Sequence, residues 1–463
     1  MQPFDTTLDH LVRALGDDVV TSGPAIEGRR NTDWSGAPGA TPRALLRPRT
    51  TAQVAEALRI CHAAGQSVVP QGGLTGLAGG ACCAPDDVAI SLERMHRVED
   101  IDPVSGTITV QAGATLQSVQ DAADQAGFLF ALDLGARGSC TIGGNLATNA
   151  GGNRVIRYGT MRDQLLGIEA VLADGSVISG LHKMVKNNTG YDLKQLLAGS
   201  EGTLGIITRA VLRLRPKPKA VATAWCGLPD FAAVTRLLQR AQAQLSGGVS
   251  AFEVMWPSYV AFVLAHVAGL RAPLRSPHAF HVLLENSGSD AARHQQAFDE
   301  FLEQMLDEGV IEDAAVARSA ADALALWALR DAPANFPTLM PGLTGFDISF
   351  AISDIGRAAA ECDDLLRRGW PGCTALVYGH LGDGNLHLIV HLPLVAEQPK
   401  HAIETAIYAV VRRYNGSVSA EHGIGTLKRS VLGHSRSESE LAAMRAIKAA
   451  LDPKNILNPG KLL

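Results

Sequence analysis

The spacing of apolar residues changes along the chain and divides it before any motif is considered. A short helical start in MQPFDTTLDHLVRALGDDVV and an irregular lead-in run to about Thr41, and from Arg43 strand and helix alternate. Val54, Leu58 and Cys61 recur at helical spacing behind Thr50 and Gln53, a capping-box pair, and Gly65 stops the helix. Residues 67–70 read as a strand leading into QGGLTGLAGG, 71–80. Strands are expected at 88–92 and 107–111 around a DPVSG turn, then a helix over 115–126 that ends at Gly127. A second glycine-rich stretch, GARGSCTIGGNLATNAGG, precedes a strand pair at 166–172 and 177–179 flanking an ADG turn. The prolines and charges of RLRPKPKA, 213–220, mark a domain boundary. Beyond it, helices near 231–245 and 291–306 mix with strands near 280–285 and 346–352, an α+β pattern. The tail from 437 reads as a helix followed by DPKNILNPGKLL.

At 463 residues the chain exceeds what one core fills, so two or more domains are expected. A hydrophobic share of 46% against 19% charged argues for a compact enzyme rather than disorder. The formal charge of −5 offers no basic footprint for nucleic acid. Seven scattered cysteines, with no CxxC spacing, indicate neither a disulfide framework nor a thiolate zinc site, and fit a reducing cytoplasm. The N-terminus has neither a secretory nor a transit pattern. No run approaches the roughly 18 apolar residues of a membrane span, so no membrane insertion is expected.

A loop such as QGGLTGLAGG lines up backbone N–H groups against a pyrophosphate, because glycine permits close approach and positive φ. A plain surface turn is the alternative for either glycine-rich loop alone. The fingerprints GxGxxG and GxxxxGK[ST] are absent, which disfavours a Rossmann NAD site and an NTPase. PQGGLTGLAGG, GSCTIGGNLATNAGGNRVIRYGT and LLAGSEGTLGIIT, in that order, resemble the FAD-binding half of the vanillyl-alcohol-oxidase-type flavoproteins. More narrowly the chain resembles their D-lactate and D-2-hydroxyglutarate dehydrogenase branch, from about Arg43 to the C-terminus. The resemblance implies an α+β fold: a two-subdomain FAD-binding domain at 1–217 and a substrate (cap) domain on an antiparallel sheet at 218–420. A segment at 421–463 would return to the FAD domain. It also implies that Pro70, Gln71, Gly72, Gly73, Leu74, Thr75, Gly76 and Leu77 hold the pyrophosphate. Ser139, Thr141, Gly143, Gly144, Asn145, Thr148, Gly151 and Gly152 would line the isoalloxazine and ribityl chain. Glu201, Gly202, Ile206 and Ile207 would face the adenine side, and Asn458 would also touch the cofactor. Some relatives tether FAD through a histidine of the first loop. That loop has none here, so FAD is expected to be non-covalent.

ALVYGHLGDGNLHLIVHL, 375–392, has two alternating apolar runs around GDGN and reads as a hairpin with 382–385 as its loop. Pairing Leu381 with Leu386 sets His380 directly opposite His387, near enough to share a metal ion. A pair of hairpin histidines in a polar patch is the plainer alternative. His391 shares that face but lies further along and is left out. SAEHGIGTLKR, 419–429, supplies an adjacent acid and imidazole. Neighbours on a straight strand point to opposite faces, so both reach one site only if the chain turns at Gly423 and Gly425. By the resemblance, His380, His387 and Glu421 are metal ligands and His422 is the general base. Such a set leaves positions open for substrate; zinc is the first expectation, with manganese or cobalt suiting the same ligands. Arg330, in LRDAPANF, matches the family's carboxylate-binding arginine; its alternative is a surface residue ending the helix SAADALALWALR.

These roles imply that a D-2-hydroxy acid becomes a 2-oxo acid. The substrate chelates the metal, Arg330 clamps its carboxylate, His422 takes the hydroxyl proton and hydride passes to flavin N5. D-2-hydroxyglutarate dehydrogenases carry a lysine two residues before the Asp of GFDISF, where this chain has Gly345. Ala334 and Ile389 likewise replace polar contacts. An unpaired distal carboxylate is costly to bury. A monocarboxylic acid such as D-lactate or a larger apolar homologue is therefore favoured, with D-2-hydroxyglutarate and D-malate open. The expected acceptor is an electron-transfer flavoprotein or quinone-linked carrier, and the family suggests a homodimer. Two rivals remain: a non-redox flavin transferase resembling the ether-lipid synthases, and a non-catalytic flavin subunit of a glycolate-oxidase-like complex.

Overall fold

The structure is a computed structural model that describes residues 3–26, 28, 31–393, 395 and 397–463. The chain forms two compact units. One comprises Met1–Gly152, Gly159–Lys217 and Glu421–Leu463, and the other Asn153–Tyr158 and Pro218–Ala420. The short insertion Asn153–Tyr158 thus counts with the second unit, although it lies inside the glycine-rich half of the sequence.

In the first unit, a four-stranded sheet runs in the order Val20–Ser22, Ala44–Leu46, Val88–Ser91, Val68–Gln71, with the last three parallel. The helix Thr51–Ala64 connects Ala44–Leu46 to Val68–Gln71. Thr50 caps it by accepting from Gln53 N–H at 3.2 Å, and Gly65 closes it at φ 67°. The Gln53 side chain accepts from Arg49 N–H at 2.7 Å, one residue before the position a capping box uses. The C-terminal tail adds to the free edge of this sheet. Val68 N–H donates to Ile456 O, and Asn458 N–H donates to Val68 O, both at 2.8 Å. A five-stranded antiparallel sheet follows, in the order Val98–Asp102, Thr107–Gln111, Ile206–Arg213, Leu165–Val171, Val177–Gly180. Every residue of Leu165–Val171 is buried, including Glu169, whose carboxylate accepts from the Thr51 and Thr208 hydroxyls.

The second unit is built on a seven-stranded antiparallel sheet. Its order is Asp313–Val316, Ala220–Leu228, Phe280–Gly288, Val249–Met255, Thr374–His380, Asn385–His391, Thr344–Ser349. Helices Phe231–Gln244, Ala291–Asp307, Ile352–Gly369 and Lys400–Arg413 supply the amphipathic partners, each with a buried apolar stripe.

The histidine hairpin departs from the expected register. Tyr378, not His380, pairs with His387, and the turn is a 3-10 segment, Leu381–Asp383, closed by Gly384 at φ 87°. Asn385 already belongs to the strand. A Cβ on Gly379 would come within 2.3 Å of Asn385 O, so the two strands close tightly just before the turn. The register differs by two residues from that expected. Because side chains alternate with period two, His380 stays on the same face as His387, as a diagonal neighbour rather than an opposite one.

Trp225 is fully buried, and its Nε1–H donates to His281 Nδ1 at 3.1 Å, which makes that nitrogen an acceptor. Burial, with a smaller contribution from His278, holds the His281 pKa down at about 4. The folded value lies below the unfolded one near 6.5, so as pH falls through 6.5 the unfolded chain takes the proton first. Stability drops and the loss is complete near pH 4, at most about 3 kcal/mol. The stability gap between the wild type and His281→Asn, whose carbonyl can replace the acceptor, should shrink by that amount between pH 7 and 4 in urea titrations. A gap that stays constant over this range would show that His281 is not held neutral.

Candidate functional site

The first glycine-rich loop leaves the strand Val68–Gln71 at its C-terminal end, with Leu74 in the left-handed region at φ 55°. A Cβ at Gly72 would meet Thr141 Oγ1 at 2.5 Å, and one at Gly73 would meet Ser139 O at 1.9 Å. The two glycine-rich loops therefore touch backbone to backbone, and no side chain fits between them. Thr141 caps the short helix Ile142–Ala147, which carries Gly143, Gly144 and Asn145; Thr148 ends it and donates its hydroxyl to Gly144 O at 3.1 Å. Gly143 packs on Ala112, and Gly152, at φ 146°, on Asp133 O. Gly72, Gly73, Leu74, Thr115, Ser139 and Thr141 border a cavity of about 490 Å³.

Pro70 packs against Gly202, while Leu77 is exposed. Ile206 and Ile207 are buried in the five-stranded sheet and belong to its core. Glu201, expected on the adenine side, has partners within the chain as well. Its two carboxylate oxygens accept from Ile424 N–H and Gly425 N–H, both at 2.7 Å. Gln71 Oε1 and Asn458 Oδ1 are buried acceptors without a hydrogen-bond partner. The glycine cradle and these two acceptors fit a bound dinucleotide, which brings N–H and O–H donors.

In the second unit, His380 and His387 lie on one face of the sheet with ring centroids 5.4 Å apart. A carboxylate stands behind each. Glu253, the strand partner of His380, accepts from its Nδ1–H at 2.7 Å and from Arg330 Nε–H at 2.7 Å. Asp347, the strand partner of His387, lies 4.0 Å from its Nδ1 and accepts from Asn385 Nδ2–H at 2.9 Å. Burial would raise the Glu253 pKa, but its interactions with His380 and the Arg330 guanidinium outweigh it and hold the carboxyl at about 2. Burial pushes the Asp383 carboxyl, in the turn between the histidines, up to about 6.

With Nδ1 assigned as the donor to Glu253, His380 Nε2 is an acceptor, and Arg330 Nη2 donates to it at 3.0 Å. Imidazoles backed by carboxylates in this way are the usual form of metal-ligating histidines. Arg330 ends the helix Ala320–Arg330 but is only 8% exposed, with its guanidinium over the Tyr378 ring. Tyr259 OH donates to the Leu329 and Arg330 carbonyls, both at 2.9 Å, and so fixes the end of that helix.

Glu421 follows Ala420, whose N–H donates to Asp347 O at 3.2 Å. His380, His387 and Glu421 each offer a ligand atom, and these lie within 4.8 Å of one another. The same holds for Asp347, Glu421 and His422. A Cβ on Gly151 would come 2.8 Å from Glu421 Oε1, so this glycine, expected to line the flavin, also leaves room for that carboxylate.

Glu253, Asp347, Tyr378 and Asn385 were not singled out from the sequence. A signal was present for each acid: Glu253 is a lone carboxylate in the mostly apolar strand VSAFEVM, and Asp347 sits between Phe346 and Ile348 in TGFDIS.

The model of the FAD binding domain matches residues 42–180, and that of FAD linked oxidases, C-terminal domain, matches 217–462. The chain is 42% identical to the mitochondrial D-2-hydroxyglutarate dehydrogenase of Bos taurus, over 98% of this chain and 82% of that one. It is 38% identical to D-2-hydroxyglutarate dehydrogenase of Xanthomonas citri pv. viticola, over 93% and 91%. Among solved structures, p-cresol methylhydroxylase shares the fold at TM-score 0.79 and 17% identity, covering 100% of this chain and 97% of that one. Alkyldihydroxyacetonephosphate synthase shares it at TM-score 0.73 and 17% identity, covering 98% and 84%. The chain belongs to the FAD-linked oxidase family, as one of its FAD-dependent D-2-hydroxy acid dehydrogenases. Among the described residues no helix is long and apolar enough to cross a membrane.

Replacing Glu253 by Gln leaves the Arg330 guanidinium buried without its counter-charge. The expected loss is about 3–5 kcal/mol, read as a lowered urea midpoint at pH 7. An unshifted midpoint would mean that Arg330 and His380 do not depend on this acid.

Proposed function

We propose that this enzyme oxidises short-chain or apolar D-2-hydroxy monocarboxylic acids to 2-oxo acids, with non-covalent FAD and a divalent cation held by His380, His387 and Glu421. The observation that carries the reading is the pair of carboxylate-backed imidazoles with Glu421 inside a 4.8 Å group. The donor set of two imidazoles and a carboxylate suits zinc first, and manganese or cobalt next.

When bound, the flavin would serve as the hydride acceptor and the cation would supply Lewis acidity toward the substrate hydroxyl and carboxylate. The chain's own residues bind, orient and move the proton. Arg330, fixed by Glu253 and Tyr259, presents its remaining N–H groups to the substrate carboxylate. His422, as general base, takes the hydroxyl proton. Pro70 to Leu77 and Ser139 to Gly152 would hold the cofactor, and an electron-transfer flavoprotein or quinone-linked carrier would be the electron acceptor.

The substrate class rests on the row of residues next to the histidines. Asp347, His387 and Tyr378 align across three strands, and the next row on that face is Gly345, Ile389 and Leu376. Ile389, Leu343 and Phe336 belong to the apolar cluster of this unit or pack against it. That row offers no charge to a distal carboxylate, which favours a substrate with an apolar tail. Kinship with two D-2-hydroxyglutarate dehydrogenases, at 42% and 38% identity, favours a second reading with that dicarboxylate as substrate.

Stopped-flow mixing of the oxidised enzyme with D- and L-2-hydroxy acids tests both. D-lactate or an apolar homologue should bleach the flavin and its L-enantiomer should not, and chelator should abolish bleaching. His422→Asn should retain flavin but lose bleaching by at least about a hundredfold; an unimpaired variant would remove it from the base role. Gly345→Lys supplies a cation in the apolar row, where the new Cβ meets only Ile389 Cδ1 at 3.4 Å and Leu343 Cδ1 at 3.8 Å. Its kcat/KM ratio for D-2-hydroxyglutarate over D-lactate should rise by about tenfold or more. An unchanged ratio would detach substrate choice from this row.

A further inference from the structure

Glu201 combines features that packing alone does not require. It is a non-glycine residue at φ 51°, a conformation that costs a side-chain-bearing residue about 1 kcal/mol or more. It is buried, and both its oxygens are engaged with one short stretch of backbone, the N–H groups of Ile424 and Gly425. Gly423 at φ 79° and Gly425 at φ 50° flank Ile424. Left-handed residues placed this way turn successive N–H groups toward one point, a concavity that receives an anion. Here the anion is supplied by the chain itself.

The turn has no slack. A Cβ on Gly423 would lie 2.9 Å from Glu201 Oε1, and one on Gly425 would lie 2.0 Å from Ala78 O. Thr426 N–H and Leu427 N–H both donate to Ala78 O, at 2.9 and 3.2 Å. Behind Glu201, Asn458 Nδ2 donates to the Glu201 carbonyl at 2.8 Å and to Gly80 O at 3.0 Å. Glu421 and His422 immediately precede this turn. On a straight strand their side chains would diverge, so the turn decides where both groups point.

We infer that Glu201 positions Glu421 and His422 by seating its carboxylate in the Gly423–Gly425 turn, and that its role is toward the cation and base rather than toward the adenine of FAD. The inference rests on the metal reading proposed above. Each carboxylate oxygen accepts one backbone N–H of this turn, so the contacts that orient the side chain are made with the turn. Replacing it by an amide turns one acceptor into a donor that faces a backbone N–H, which loosens the turn without removing bulk.

The test uses full-length Glu201→Gln beside the wild type, each reconstituted with FAD and zinc. Flavin content is read from the visible absorbance band, zinc affinity by chelator competition, and turnover with a dye acceptor across added zinc. The expected result is flavin content and melting temperature near wild type, zinc affinity weaker by about tenfold to a hundredfold, and turnover partly restored by excess zinc. Unchanged zinc affinity in folded Glu201→Gln overturns the inference. So does loss of flavin with zinc affinity intact, which would return Glu201 to the cofactor. If that variant does not fold, Glu201→Asp, which keeps the charge but shortens the reach, is read in the same titration against the same outcomes. A wild type that binds no zinc, manganese or cobalt would overturn the metal reading and this inference together. A wild type that binds metal beside an equally tight variant overturns only the latter.

Discussion

An imidazole can present a lone pair to a cation only while its other nitrogen is held as a donor, and in the interior of a sheet that task falls to a buried acid. Glu253 performs it for His380 from the neighbouring strand. A lone carboxylate at that depth would be driven to protonate; Arg330 keeps it charged, and Tyr259 fixes the helix end from which Arg330 projects. Residues from two strands and two helices are thereby coupled through one acid. His387 has a looser version of the arrangement, in which Asp347 is steadied by Asn385.

Most of the architecture was legible from apolar spacing. The helix behind Thr50, the helices beginning at Phe231 and Ala291, and the strand pair around the ADG turn lie within a few residues of expectation, because each has a local signal in caps, glycines or periodicity. The hairpin register was missed. A GDGN sequence suggests a tight loop, whereas the 3-10 turn and the close approach at Gly379 take up two more residues. Side-chain parity survived that error, which is why the two imidazoles were still assigned to one face.

The site was legible where chemistry is written in single residues and hidden where it depends on long-range pairing. Histidines and glycines announce themselves. Glu253 did not, since nothing local says that Val249–Met255 lies beside Thr374–His380. Ile206 and Ile207 show the same limit, because a run of β-branched residues after a glycine-rich loop serves a sheet core as well as a ligand. Burial and pairing distinguish those two uses, and neither is visible in one dimension.

The edge of the four-stranded sheet beside Val68 is completed by residues 456–458. On the ribosome, therefore, the first half of the chain emerges with one sheet edge open and its glycine loops unsupported by Asn458. The whole of Pro218–Ala420 must then be translated, a delay of roughly ten to forty seconds at ordinary elongation rates. The intervening unit has its own sheet and core, and so can settle first while the earlier segment waits for its last strand. Nascent-chain protection against edge pairing, and cofactor capture only after release, are the natural consequences of that order.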